Sequence, residues 1–166
     1  MKRVIARADL EKSCAELRRE GRTIVFTNGC FDLLHPGHLD LLSRAAALGD
    51  TLLVGINDDA SVRRLKGPDR PIYPGGERAE LLLAVRWVDY VTEFSEDTPR
   101  ETIHLVRPDV LVKGAEYEER DIVGARFVRS YGGRVVRVPM KKGHATRLLV
   151  EKISKGSPRP VSNNNR

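Results

Sequence analysis

His35 and His38 stand three residues apart in the segment His35-Pro36-Gly37-His38, close behind Thr27-Asn28-Gly29-Cys30-Phe31-Asp32. Imidazole N–H groups can bind and polarise phosphate oxygens. A helix that begins at this segment adds free N–H groups and a dipole facing the same way, which is an anion site. The pair in that setting points to phosphate chemistry rather than to two surface or capping histidines. Zinc is the rival chemistry. It needs three or four ligands, and only Cys30, His104 and His144 remain as nitrogen or sulfur donors, with no ligand-like spacing. No protein-held metal site is therefore expected.

The elements that must position the histidines follow from periodicity. Thr23-Ile24-Val25-Phe26 is an apolar, β-branched run that predicts a buried strand ending at the motif. Leu39, Leu41, Leu42, Ala45, Ala46 and Leu48 then recur at helical spacing up to Gly49-Asp50. Upstream, residues 9–20 read as an amphipathic helix capped by Asp9 and stopped at Gly21. Downstream, Thr51 to Ile56 reads as a second buried strand, and Asn57-Asp58-Asp59-Ala60-Ser61 has the chemistry to start a short helix through Leu65. Lys66 to Pro71, extending to Gly76, is a break rich in Gly, Pro and charge, either a connector or a substrate-facing flap. Glu77 to Val85 reads as a helix and Val88 to Phe94 as a shorter, partly exposed strand. Ser95 to Pro99 offers a cap and an early Pro for a helix ending near Val106. Val110 to Val112 predicts a strand ending at Lys113-Gly114, Asp121 to Tyr131 a helix, Arg134 to Val138 a strand and Thr146 to Ile153 a last helix.

This alternation predicts an α/β, Rossmann-like, five-stranded parallel sheet with helices on both faces. One domain over residues 1–154 is expected, with an N-terminal helix in 1–21 and a disordered tail from 155 to 166. Ligands bind beyond the carboxyl ends of such strands. His35 to His38, Asn57-Asp58, Lys113-Gly114 and Gly143 to Arg147 all fall there.

Composition narrows the partners. Of 166 residues, 40% are hydrophobic and 31% charged, the profile of an ordinary globular chain. A net charge of +6 admits nucleic acid, an anionic surface or phosphorylated small molecules, but 5% aromatic content leaves few stacking platforms for bases. A small anionic substrate is expected, with no nucleic-acid partner. No apolar run approaches the ~18 residues that span a bilayer, and Met1 to Arg7 is charged where a signal peptide would be apolar. Cys14 and Cys30 are too few for a disulfide scaffold. A cytoplasmic location is expected. The first turn lacks Gly-x-Gly-x-x-Gly, which weakens a dinucleotide reading, and no Gly-Lys-Ser/Thr marks a P-loop.

Thr27 to Asp32 followed by His35-Pro36-Gly37-His38 resembles the signature of the cytidylyltransferase-like nucleotidyltransferases, and the resemblance runs from about Arg22 to Ile153. Asn57 to Gly67 with Arg70-Pro71, and Leu111-Val112-Lys113-Gly114, further resemble the adenylyltransferase half of bifunctional ADP-heptose synthases. With no sugar-kinase segment here, the chain is similar to the stand-alone heptose 1-phosphate adenylyltransferases. The resemblance implies attack of a D-glycero-β-D-manno-heptose 1-phosphate oxygen on the α-phosphorus of ATP, with pyrophosphate leaving. A glycerol-3-phosphate-type cytidylyltransferase is the alternative. A Mg²⁺ held mainly by phosphate oxygens and a homodimer are implied as well.

The same resemblance implies roles for single residues. His35, His38 and Lys66 would be catalytic. Asn28, Gly29, Cys30, Phe31, Lys113, Gly114, Thr146 and Arg147 would join the two histidines in binding the nucleotide, while Asp32, Lys66 and Arg78 would meet the sugar phosphate. Asp32 could hold substrate hydroxyls, help with metal, or fix a turn. Ala145 departs from the family pattern, where a serine precedes Thr146, so one hydroxyl donor to phosphate is missing. His144 or Lys141-Lys142 are the residues nearby that could compensate. Cys30 reads as a packing residue whose backbone matters more than its thiol, and Trp87 as core.

Overall fold

β2 (Ile24–Gly29) and β3 (Thr51–Asn57) form the centre of a six-stranded sheet, paired in parallel from Ile24 opposite Thr51 to Gly29 opposite Ile56. The computed structural model describes residues 2–115, 118–139 and 146–156. Beyond β3 lie β4 (Tyr90–Phe94) and the edge strand β1 (Arg3–Val4); on the other side of β2 lie β5 (Val110–Gly114) and β6 (Arg134–Val138). The order is β1-β4-β3-β2-β5-β6, and every pairing is parallel. After β2 the chain moves outward through β3 and β4, then returns to the far side of β2 for β5 and β6. The carboxyl ends of β2 and β5 are therefore the switch point at which such sheets bind ligands.

Side-chain alternation splits the sheet's contacts between two cores. Val25, Leu52, Val54, Ile56, Val110 and Val112 pack under α2 (Pro36–Ala46) and α4 (Gly75–Ala84), through Leu41, Leu42, Ala45, Ala79 and Leu82. Ile24, Phe26, Leu53 and Leu111 face the other way, against α1 (Leu10–Arg19), α5 (Arg100–Val106) and α6 (Ala125–Ser130). Trp87 packs against the first core, as the sequence suggested. Gly55 in β3 is required by this packing, since a Cβ there would stand 2.7 Å from Phe26 Cζ.

Five of the strands fall where periodicity placed them. The sixth, β1, was not expected: it is two residues long and exists only by pairing with Tyr90 and Val91. That pairing also puts β4 inside the sheet, with Val91 and Thr92 fully buried, while Tyr90 and Glu93 leave it partly exposed as expected. α4 starts two residues earlier than expected, directly after Pro74. α6 is shorter than the expected 121–131, because Gly124 takes φ +84° and interrupts the helical path between the 3₁₀ turn Glu119–Asp121 and Ala125. Pro99 occupies the N-cap of α5 rather than its first turn, and Asp9 precedes α1 without a side-chain capping bond. α7 (Thr146–Lys155) runs two residues past the expected end, into the first residue of the expected tail. The remainder of that tail, from 157, lies outside the described residues.

Candidate active site

A cavity of about 980 Å³ opens at the carboxyl ends of β2 and β5. Asn28, Gly29, Cys30, Phe31 and Asp32 form its floor, His35 and His38 one wall, and Lys66 and Arg70 its rim. Lys113 and the start of α7, Thr146 and Arg147, line it as well.

The histidines are placed by the start of α2. His35 is the N-cap in extended conformation, its Nδ1 accepting from the His38 N–H at 3.3 Å, and Pro36 follows at the first helical position. The two imidazoles stack, with centroids 3.7 Å apart and planes 17° from parallel. Burial pushes the His38 imidazole down to about 4; His35 adds to this, and the Leu33 backbone opposes it. His38 is therefore held neutral near pH 7, its ring stacked on His35 beside the free N–H groups of α2. Phe31 supports His38 from 5.0 Å, held at a left-handed φ of 48° that turns the chain from β2 towards α2. The approach between Phe31 and Gly29 is close, 3.3 Å from a Cβ built at Gly29.

Across the switch point, Lys113 Nζ donates to Asn28 Oδ1 at 2.6 Å and lies 3.3 Å from the Asn28 carbonyl oxygen. This ties β5 to β2 and puts a cation at the floor. Gly114, one residue on, is buried against β6 and is not among the residues that line the cavity. Lys66 is the last residue of α3 (Asp59–Lys66), a helix capped by the Asp58 carboxylate on the Ser61 N–H at 2.7 Å. It is therefore carried by a helix end rather than by the loop. Burial raises the Cys30 thiol pKa, and the charges of Lys66, Arg78 and Arg70 pull it back, in that order. Those cations thus surround the same floor.

Two expected substrate contacts are corrected by the geometry. Arg78 is 0% exposed. Its Nε donates to the Tyr73 carbonyl (2.9 Å), Nη1 to the Cys30 and Asn57 carbonyls (2.8 Å each), and Nη2 to Asp59 Oδ1 (2.7 Å). Four of its five N–H donors are taken, Nη2 also faces Glu93 Oε1 at 4.0 Å, and a guanidinium so enclosed presents no surface to a sugar phosphate. Asp32, 1% exposed, accepts from the Ile72 N–H (2.8 Å), the Tyr73 N–H (2.9 Å) and Arg70 Nε (2.5 Å). It fixes a turn forty residues away rather than holding substrate hydroxyls or metal.

Several cavity residues were given no site role by the sequence: Leu65, Arg70, Asp97-Thr98-Pro99 and Asp121-Ile122-Val123; Asn57, placed beyond a strand end, lines the cavity too. Asp97 is engaged by Arg64 at 2.7 Å. Among the described residues no three His, Cys, Asp or Glu side chains gather as a metal cage. Arg147 is exposed and pairs with Glu151 at 3.0 Å. Ala145, His144 and Lys141-Lys142 lie outside the described residues. Among those that are described, no helix is long and apolar enough to cross a membrane.

Comparison with known proteins adds a family match. The cytidylyltransferase-like family model matches residues 26–145. The chain is 53% identical over 136 residues to the bifunctional protein HldE of Syntrophotalea carbinolica, covering 82% of this chain and 28% of that protein. It is 50% identical over 144 residues to the HldE of Trichlorobacter lovleyi, covering 87% and 29%. The chain thus spans less than a third of the length of these relatives. Among solved structures, the lipopolysaccharide core biosynthesis protein from Thermoplasma volcanium GSS1 aligns with TM-score 0.61 and 28% identity, over 73% of this chain and 99% of that one. A pantoate-beta-alanine ligase from Francisella tularensis, at TM-score 0.57 and 13% identity over 86% of this chain and 68% of its own, shares the fold.

Proposed function

Because the chain belongs to the cytidylyltransferase-like family of nucleotidyltransferases, we propose that it transfers an adenylyl group from ATP to D-glycero-β-D-manno-heptose 1-phosphate, giving ADP-heptose for lipopolysaccharide. The observation that carries this reading is the stacked His35/His38 pair at the N-terminus of α2, facing the cavity at the sheet's switch point. HldE relatives favour the heptose and ATP over the glycerol-phosphate and CTP alternative.

In the proposed reaction a phosphate oxygen of the acceptor attacks the α-phosphorus in line, the bond to the bridging oxygen breaks, and pyrophosphate leaves. No protein nucleophile is needed, so positioning and charge stabilisation supply the rate. His35, His38 and the first N–H groups of α2 bind the nucleotide phosphates and stabilise the crowded α-phosphate. Lys113 and Arg147 lie at the nucleotide side, and Lys66 and Arg70 at the acceptor side. Two of the cavity carboxylates are committed, Asp32 to Arg70 and Asp97 to Arg64, which fits a Mg²⁺ that would be carried mainly on the nucleotide's own oxygens. When bound, that ion neutralises phosphate charge. We place the reaction in the cytoplasm and assign the active form as a homodimer, which a light-scattering mass would test.

The decisive experiment measures pyrophosphate release with ATP or CTP against heptose 1-phosphate or glycerol 3-phosphate. Turnover with ATP and the heptose is expected. Turnover only with CTP and glycerol 3-phosphate would overturn the assignment.

A further inference from the structure

The segment Gly67 to Pro74 joins α3 to α4 and buries none of its own side chains; Ile72 and Tyr73 are 49% and 37% exposed. Hydrophobic packing does not hold it in place, although Lys66 and Arg70 at its start line the cavity. What holds it is polar and buried. Asp32 takes the N–H groups of Ile72 and Tyr73 and the Arg70 guanidinium. Arg78 takes the Tyr73 carbonyl from the other side and, with the same guanidinium, the Cys30 carbonyl two residues before Asp32. Tyr73 is therefore gripped at its N–H and at its C=O, both times by groups fastened to the turn that follows β2.

The grip is built into the surrounding chain. Arg78 also spans the Asn57 carbonyl and Asp59, so the end of β3 and the start of α3 share the anchor. Gly75 lets Glu93 approach it: a Cβ there would meet Glu93 Oε1 at 1.9 Å and Arg78 Nη2 at 3.4 Å. Only a planar guanidinium reaches all these acceptors, because a lysine offers three donors on a single point charge.

We propose that Asp32 and Arg78 are positioning residues that lock the 67–74 loop to the phosphate turn and thereby fix where Arg70 meets the acceptor. Arg78 lies behind the cavity, and the oxygens of Asp32 at its floor are taken up by the loop. The kinetic half of this inference rests on the proposed nucleotidyl transfer; the structural half does not.

Amide hydrogen exchange and steady-state kinetics test it together. In the unaltered protein the Ile72 and Tyr73 amides should exchange at least about tenfold more slowly than that of Asp69, after correction for intrinsic rates. Asp32→Asn puts an NH₂ among donors, so those two amides should speed up about tenfold or more while the β3 amides keep their protection. With ATP and heptose 1-phosphate, this variant should raise the acceptor KM about tenfold and leave the nucleotide KM within about twofold. Arg78→Lys should move both readouts the same way, and it decides the matter with the unaltered protein should Asp32→Asn not fold. Loop amides as fast as Asp69, or still protected in Asp32→Asn, would overturn the lock. A nucleotide KM rising in step with the acceptor KM would overturn the acceptor role. Absence of turnover in the unaltered enzyme defeats the proposed function, while the exchange data still judge the lock.

Discussion

His35 does two things with one ring: Nδ1 caps α2, and the ring face stacks on His38. These roles separate by substitution. His35→Asn keeps a good N-cap acceptor, so the thermal midpoint should stay within about 2 °C, while kcat falls about 10²–10³-fold for want of a phosphate donor. His35→Ala loses the cap too and should cost about 1 kcal/mol in addition. An Asn variant as active as the parent would return the residue to a capping role alone. His38 carries a pH consequence. Its pKa is about 4 when folded against 6.5 when unfolded, so between those values the unfolded chain binds more protons. Stability contributed by this residue is present above pH 6.5 and lost as pH falls towards 4. Urea midpoints should fall from pH 7.5 to pH 5, and His38→Gln should flatten that fall; an unchanged slope would place the linkage elsewhere.

Among the elements, β3 leaves no room for a side chain at its glycine. Gly55 lies under the Phe26 ring, so Gly55→Ala should destabilise by about 1–3 kcal/mol, with Phe26→Leu in the same chain restoring part of it. Denaturant titration of the single and double variants checks this, and additive losses would mean that the two sites do not share space. The central strands and the helices between them were legible because their apolar runs have a period and a length. β1 was not, since two residues have no period and Arg3-Val4 become a strand only through β4. The expected extent of α6 failed for the opposite reason: Ile122, Ala125 and Val128 keep helical spacing through Gly124, whose positive φ breaks the path that spacing suggested.

For the whole molecule, the candidate site was legible in the residues that line its cavity and opaque in the residues that support it. His35, His38, Lys66, Lys113, Thr146 and Arg147 do come to one cavity. Arg78 sits behind the wall instead, because three of the four groups that draw it inward are the carbonyls of Tyr73, Cys30 and Asn57, which leave no mark in a sequence; the fourth is the Asp59 carboxylate. A nucleotide seated in that cavity stabilises only the folded chain. Saturation with ATP and Mg²⁺ at about 100 times Kd should add about 2.7 kcal/mol, read as a rise in thermal midpoint, and no rise would deny binding. The molecule also carries its own gauge of occupancy. Cys14 is sealed in the core and its thiol is pushed up to about 11, whereas Cys30 lines the cavity floor, partly exposed. Intact-mass spectrometry after mild alkylation should therefore show a single added group, at residue 30. Its rate should climb with pH, because burial has raised that thiol as well. A nucleotide lying over the floor should slow the labelling, so the count of modified molecules against time reports how full the site is without any substrate being turned over.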